Sequence, residues 1–153
     1  MITITSAADL APHIGQLLGH SDYVEITQEQ VNTFADATGD HQWIHVDVER
    51  ATAGPFGGPI AHGYLTLSLG PVLLHDVLEW KNTKMGVNYG LNKVRFPSPV
   101  PVGSRLRLGA VLKEVEDLGR NTVQVTLETT YEIEGGTKPA CVAELLLRYT
   151  FAD

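Results

Sequence analysis

Asp40 and His45 are the residues in this chain best placed to do chemistry together. They lie in Ala37-Thr38-Gly39-Asp40-His41-Gln42-Trp43-Ile44-His45, with four residues between them. A carboxylate and an imidazole brought to one point can hold a water between them, one group taking its proton while the other gives one. A loop aspartate also serves as a turn former or cap, and a histidine beside Trp43 and Ile44 also reads as a packed ring, so spacing alone leaves both readings open. Further on comes Gly54-Pro55-Phe56-Gly57-Gly58-Pro59, then Ile60-Ala61-His62-Gly63-Tyr64. A glycine in the first turn of a helix has an N–H with no partner and no Cβ to block an approaching carbonyl, an arrangement suited to a developing oxyanion. Tight packing at the helix start is the other reason for a glycine at position 63.

Other candidates carry less. His41, His62 and His75 would join His45 in a metal site, but their spacing fits no usual zinc pattern and the only cysteine, Cys141, lies far off, so no metal is expected. Ser68 reads as a packed hydroxyl bonding its own helix, since no G-x-S-x-G elbow is present. From Lys81 to Lys113 seven basic residues (Lys81, Lys84, Lys93, Arg95, Arg105, Arg107, Lys113) occur with no Asp or Glu. Such a stretch can hold the phosphates of an anionic ligand, or form solvated strand faces.

The surrounding elements have to position these groups. Thr27 reads as an N-cap, with Gln30 completing a capping-box pattern, and a helix over Gln28 to Ala37 stops at Gly39, so Asp40 opens the loop that follows. Asp9 to Leu18 reads as a helix closed by Gly19. Residues 51–75 contain no charged side chain, and from His62 to Leu78 apolar residues cover every face of a helical wheel. This predicts a long buried central helix, kinked near Gly70-Pro71 or split there into two abutting helices. The second half changes to a period of two. Val123 to Ile133 alternates against Thr122 to Glu132, Cys141 to Phe151 closes after a Gly135-Gly136 turn, Arg105 to Glu114 precedes a Leu118-Gly119-Arg120-Asn121 turn, and Val87 to Phe96 forms a further strand. A curved antiparallel sheet wrapped around the central helix, an α+β domain of the hot-dog type, satisfies both patterns.

At 153 residues the chain fits one domain, 1–153, with neither linker nor repeat. Its net charge of −7 argues against nucleic acid as a partner. No apolar run reaches the ~18 residues of a membrane span, no signal peptide is evident, and one cysteine allows no intrachain disulfide, so a cytoplasmic location is expected.

Thr38-Gly39-Asp40 through His45 and Ala51, Gly54-Pro55, Pro59-Ile60-Ala61-His62-Gly63, and Arg95-Phe96-Pro97-Ser98-Pro99-Val100 with Val102-Gly103 resemble the MaoC-like, or (R)-specific enoyl-CoA hydratase (hydratase 2), family of hot-dog proteins. The resemblance implies that Asp40 and His45 hold the catalytic water and that the Gly63 N–H receives the thioester oxygen. It implies addition of water to trans-2-enoyl-CoA to give (3R)-hydroxyacyl-CoA, with no cofactor. Lys93 and Arg95 would bind the CoA phosphates. A homodimer is expected from the same resemblance and from the open edge strand of a single sheet. An acyl-CoA thioesterase of the same fold and a non-catalytic acyl-CoA-binding module are the competing readings. Where the family reads Asp-x-Asn-Pro-(aliphatic)-His, this chain has Gln42 and Trp43, and the bulk of Trp43 is expected to narrow the site.

Overall fold

The computed structural model describes residues 1–153. Its elements are β1 (Ile2–Ile4), a 3-10 helix (Ala7–His13), β2 (Leu17–His20), β3 (Val24–Glu25), α1 (Gln28–Thr38), α2 (Trp43–Val46), α3 (Val48–Thr52), α4 (Gly63–Ser68), α5 (Gly70–Leu74), β4 (Leu78–Trp80), β5 (Thr83–Arg95), β6 (Arg105–Gly119), β7 (Thr122–Ile133) and β8 (Cys141–Phe151). Strands β2-β6-β7-β8-β5 form an antiparallel sheet, with β3 also paired to β6. The alternation read from the sequence decides which face is dry: Leu106, Leu108, Val125, Leu127, Tyr131, Leu145 and Leu147 are buried with Leu65, Leu73 and Leu74 of the central helices. Arg120 and Asn121, at φ 53° and 57°, make the two-residue turn between β6 and β7, a conformation whose twist matches that of the strands it joins. This is the α+β hot-dog arrangement, a sheet curved around helix. No helix is long and apolar enough to cross a membrane.

The central helix is where packing departs most from periodicity. It is two abutting helices, α4 and α5, rather than one long rod, and Leu78 begins β4, which pairs in parallel with β1. Nor is it enclosed on every side: Tyr64 is 73% exposed and Val72 57%. Proline explains the break. Pro71 has no N–H to donate to the carbonyl four residues back, that of Leu67, and the Tyr131 hydroxyl of β7 donates to it instead, at 3.1 Å. Gly70 leaves the space, since a Cβ there would lie 2.5 Å from that hydroxyl oxygen. One unpaired carbonyl thus fastens the helix junction to the sheet.

The expected helix from Asp9 to Leu18 does not form. Pro12 confines helical structure to a 3-10 segment ending at His13, Gly15 turns the chain at φ 81°, and residues 17–20 pair with β6. Sheet pairing outweighs a weak helical pattern, and Gly19 lies in a strand rather than capping a helix.

Replacing Tyr131 by Phe is expected to cost about 1–3 kcal/mol, the penalty for a buried carbonyl left without a donor. In a Pro71→Ala background the cost should shrink, because residue 71 then brings its own N–H. Urea denaturation of the four proteins of this cycle checks the coupling; equal costs in both backgrounds would sink the account.

Candidate active site

Helix α1 sets the geometry at both its ends. Thr27 Oγ1 accepts from the Gln30 N–H at 3.1 Å, one half of the expected capping box. Gln28 reaches forward to donate to the His45 carbonyl at 2.8 Å. At the far end Gly39, at φ 83°, takes the left-handed conformation that glycine tolerates, and its N–H closes on the Ala35 carbonyl. The chain therefore turns sharply at Asp40, which is exposed. His45 lies not on an irregular segment but on the single helical turn α2.

His45 is 6% exposed, and its Nδ1 lies 2.6 Å from the Ile60 carbonyl. A carbonyl only accepts, so Nδ1 carries the proton and Nε2 keeps its lone pair. Burial pushes the His45 pKa below its ordinary value; the Ile60 carbonyl opposes this, and neighbouring His62 adds to it. The ring is therefore a neutral base. A side-chain oxygen of Asp40 and a ring nitrogen from each of His45 and His62 lie within 4.8 Å of one another. Two hydrogen bonds of about 2.8 Å meeting at one water span roughly 4.6 Å, so this separation suits a shared water. His45 and His62 stack at 3.9 Å between centroids and 25° between planes.

The segment carrying Gly63 is tied to the same place. Ile60 N–H donates to the Ile44 carbonyl at 3.0 Å, and Ala61 N–H to that of Val100 at 2.8 Å. A cavity of about 330 Å³ is lined by His45, Ile60, Gly63, Thr66, Phe56 and Phe96 among others. Gly63 is the first residue of α4, so its N–H has no acceptor within its own helix. A Cβ at this position would lie 3.2 Å from the Phe96 ring, so a side chain here would press that ring back by a few tenths of an ångström.

Trp43 does not narrow this cavity. Its ring packs where a Cβ on Gly54 would come within 2.9 Å, Arg50 covers it at 4.4 Å, and it is absent from the lining, where Phe56 and Phe96 are the bulky residues. Ser68 donates to the Leu65 carbonyl of its own helix at 2.7 Å, as expected, but it is exposed rather than packed. Cys141 is buried and its thiol is pushed up to about 12 by that burial, which removes it as a nucleophile. Lys93 and Arg95 lie outside the lining, exposed near the end of β5, with Arg95 next to Phe96. Of the seven basic residues from Lys81 to Lys113, five are engaged by carboxylates; Lys93 and Arg95 are the two that are not. Sequence reasoning weighed His62 only as a metal ligand and passed over Phe56 and Gln28. Its position directly before Gly63, inside the charge-free segment, was the available signal.

Known proteins are similar to this chain in sequence and in fold. The family described as MaoC like domain matches residues 9–133. A protein of Mycobacterium tuberculosis (strain H37Rv) named 3-hydroxyacyl-thioester dehydratase Z is 63% identical over 149 residues, 97% of this chain and 99% of that protein. Nodulation protein N of Rhizobium leguminosarum bv. viciae is 47% identical over 140 residues, 90% of this chain and 87% of its own length. Among solved structures, the (R)-hydratase from A. caviae superposes with a TM-score of 0.70 at 25% identity, covering 88% of this chain and 94% of that one. The chain belongs to the MaoC-like dehydratase family and is an enzyme of the hydratase–dehydratase class.

Proposed function

We propose that this enzyme adds water to trans-2-enoyl-CoA to give (3R)-hydroxyacyl-CoA, and catalyses the reverse dehydration. The observation that carries the reading is buried His45, its Nε2 lone pair left free by the Nδ1 bond and a ring nitrogen within 4.8 Å of an Asp40 carboxylate oxygen, beside the cavity that Gly63 lines. The name of the mycobacterial relative supports the 3-hydroxyacyl thioester, and that of the A. caviae structure supports the (R) configuration.

One water gives a hydrogen bond to His45 Nε2 and another to Asp40. Its oxygen bonds to C3 as His45 takes the first proton, the C2–C3 π electrons move toward the thioester oxygen, and the Gly63 N–H stabilises the charge that develops there. The imidazolium then returns its proton to C2. The second hydrogen stays on oxygen as that of the new hydroxyl, so neither residue is consumed and no cofactor enters. Lys93 and Arg95, free of carboxylate partners, bind the CoA phosphates. The working form is a cytoplasmic homodimer: β5 is an edge of the sheet, with Met85, Val87, Tyr89 and Leu91 exposed along it, and edge strands of this length are normally covered.

With a short trans-2-enoyl-CoA the expected result is loss of the conjugated enoyl chromophore with no release of thiol and a (3R) product. Matching thiol release would favour a thioesterase, and silence on both signals an acyl-CoA-binding module. Asp40→Asn and His45→Gln should each lower turnover by about a hundredfold or more, as acid–base groups usually do, with the circular dichroism spectrum retained. Activity requires neutral His45, so kcat/KM should fall on acidification with an apparent pKa below the ordinary histidine value of about 6.5.

Phosphate contacts used equally in ground and transition states act on KM. Ala at Lys93 or Arg95 should therefore raise KM for the CoA thioester and leave kcat near its original value; unchanged KM in both removes these two residues from the binding site.

Sedimentation should give a dimer mass for the unaltered protein and a lower mass for Val87→Lys, which sets a charge on the edge strand. A monomer at all concentrations before substitution would contradict the assembly.

A further inference from the structure

His62 is 3% exposed and makes contact with both Asp40 and His45. It is the N-cap of α4, so the chain runs from it directly into Gly63. Its ring stacks on His45, and Phe34 of α1 tilts against it at 4.8 Å. Its Nε2 lies 2.9 Å from the backbone carbonyl of Asp40, which can only accept, so Nε2 carries the proton. Asp40 has few other restraints: its remaining hydrogen bonds go to Thr38 and to the Gln42 N–H, both at 3.4 Å and both within its own turn.

We infer that His62 is a positioning residue, holding the Asp40 loop against His45 and next to Gly63 so that carboxylate, imidazole and oxyanion donor act as one unit. The buried nitrogen on its other side supports this. Nδ1 of His62 is enclosed without any partner, and a native protein seldom buries a polar atom unpaired without a reason. A phenylalanine would stack equally well on His45 and Phe34 with no orphaned nitrogen. What only the imidazole supplies is the Nε2–H directed at Asp40. Of the hydrogen bonds on Asp40, this is the one that leaves its own turn and ties the residue to a different part of the chain. The inference rests on the hydration reading, in which the Asp40 carboxylate and His45 Nε2 share one water.

Two substitutions separate positioning from packing. His62→Phe keeps the stack and removes the donor, whereas His62→Gln gives up the stack and offers an amide N–H near the lost Nε2. His62→Phe should lower kcat about ten- to a hundredfold with KM changed less than about threefold, because misplacing a catalytic group by ~1 Å costs that order of rate. Partial rescue by His62→Gln is expected, with kcat clearly above that of the Phe variant. A merely structural residue would give loss of folded protein in both and no rescue. Turnover of His62→Phe within about twofold of the unaltered enzyme, or His62→Gln no better than His62→Phe, overturns the inference. Asp40→Asn run in parallel keeps the two readings apart: an inactive Asp40→Asn beside an unimpaired His62→Phe removes only the role of His62, whereas an active Asp40→Asn removes the hydration reading itself. A measurement on the intact protein needs no variant to fold. Nitrogen-15 NMR of its histidines should show His45 protonated at Nδ1 and His62 at Nε2, and a His62 proton on Nδ1 instead would refute the contact with Asp40.

Discussion

The hydrogen bond from His45 Nδ1 to the Ile60 carbonyl, at 2.6 Å, is the interaction on which the rest of the site depends. It fixes the tautomer, so the opposite nitrogen keeps a lone pair, and it fixes the plane in which that lone pair points. The bond is not isolated. Ile60 also donates its N–H to the carbonyl of Ile44, the residue before His45. Two segments fifteen residues apart are therefore laced together by a pair of reciprocal bonds, with the Gly/Pro loop from Gly54 to Pro59 closing the ring between them. Burial of the imidazole in this lattice weakens its basicity, which keeps it unprotonated near neutrality.

The lattice needs a rigid base, and the broken central helix provides it. An unbroken helix would require an N–H at position 71; proline withholds it, and the sheet answers with the Tyr131 hydroxyl. The helix pair is thus anchored to β7 through a specific polar bond in addition to the apolar contacts of Leu65, Leu73 and Leu74. Because α4 begins at Gly63, directly after His62, this anchoring also sets the position of the Gly63 N–H relative to the imidazoles.

How far the sequence carried these conclusions depended on how local the determining interactions were. Strands β6, β7 and β8 followed from alternation alone, because each has one face against the core. Helix α1 followed from Thr27 and Gly39, whose capping roles act within one turn. The break at Pro71 was visible as a choice between a kink and two helices, and the hydroxyl of Tyr131, sixty residues away, belongs to the tertiary structure. The misread segment from Asp9 to Leu18 failed for the same reason: its fate is set by pairing of residues 17–20 with β6. Asp40, His45 and Gly63 were singled out by type, spacing and family resemblance. The stacking of His62 on His45 was not, since no spacing rule brings a helix cap onto a ring seventeen residues earlier. The direction of Trp43 was likewise hidden, being decided by the absent side chain of Gly54 and by Arg50.

Strand β5 joins the outside of the molecule to this interior. Along its length it is exposed, and an isolated strand of thirteen residues with Met85, Val87, Tyr89 and Leu91 in the open would be an aggregation hazard. At its C-terminal end the same strand carries Lys93 and Arg95, then leads into Phe96, whose ring closes over Gly63. Phe96 follows Arg95 directly, so the wall of the cavity continues from the edge of the sheet without an intervening loop. The open edge and one wall of the cavity thus belong to a single continuous stretch of chain, so whatever covers the apolar side chains of β5 also lies along the approach to Phe96.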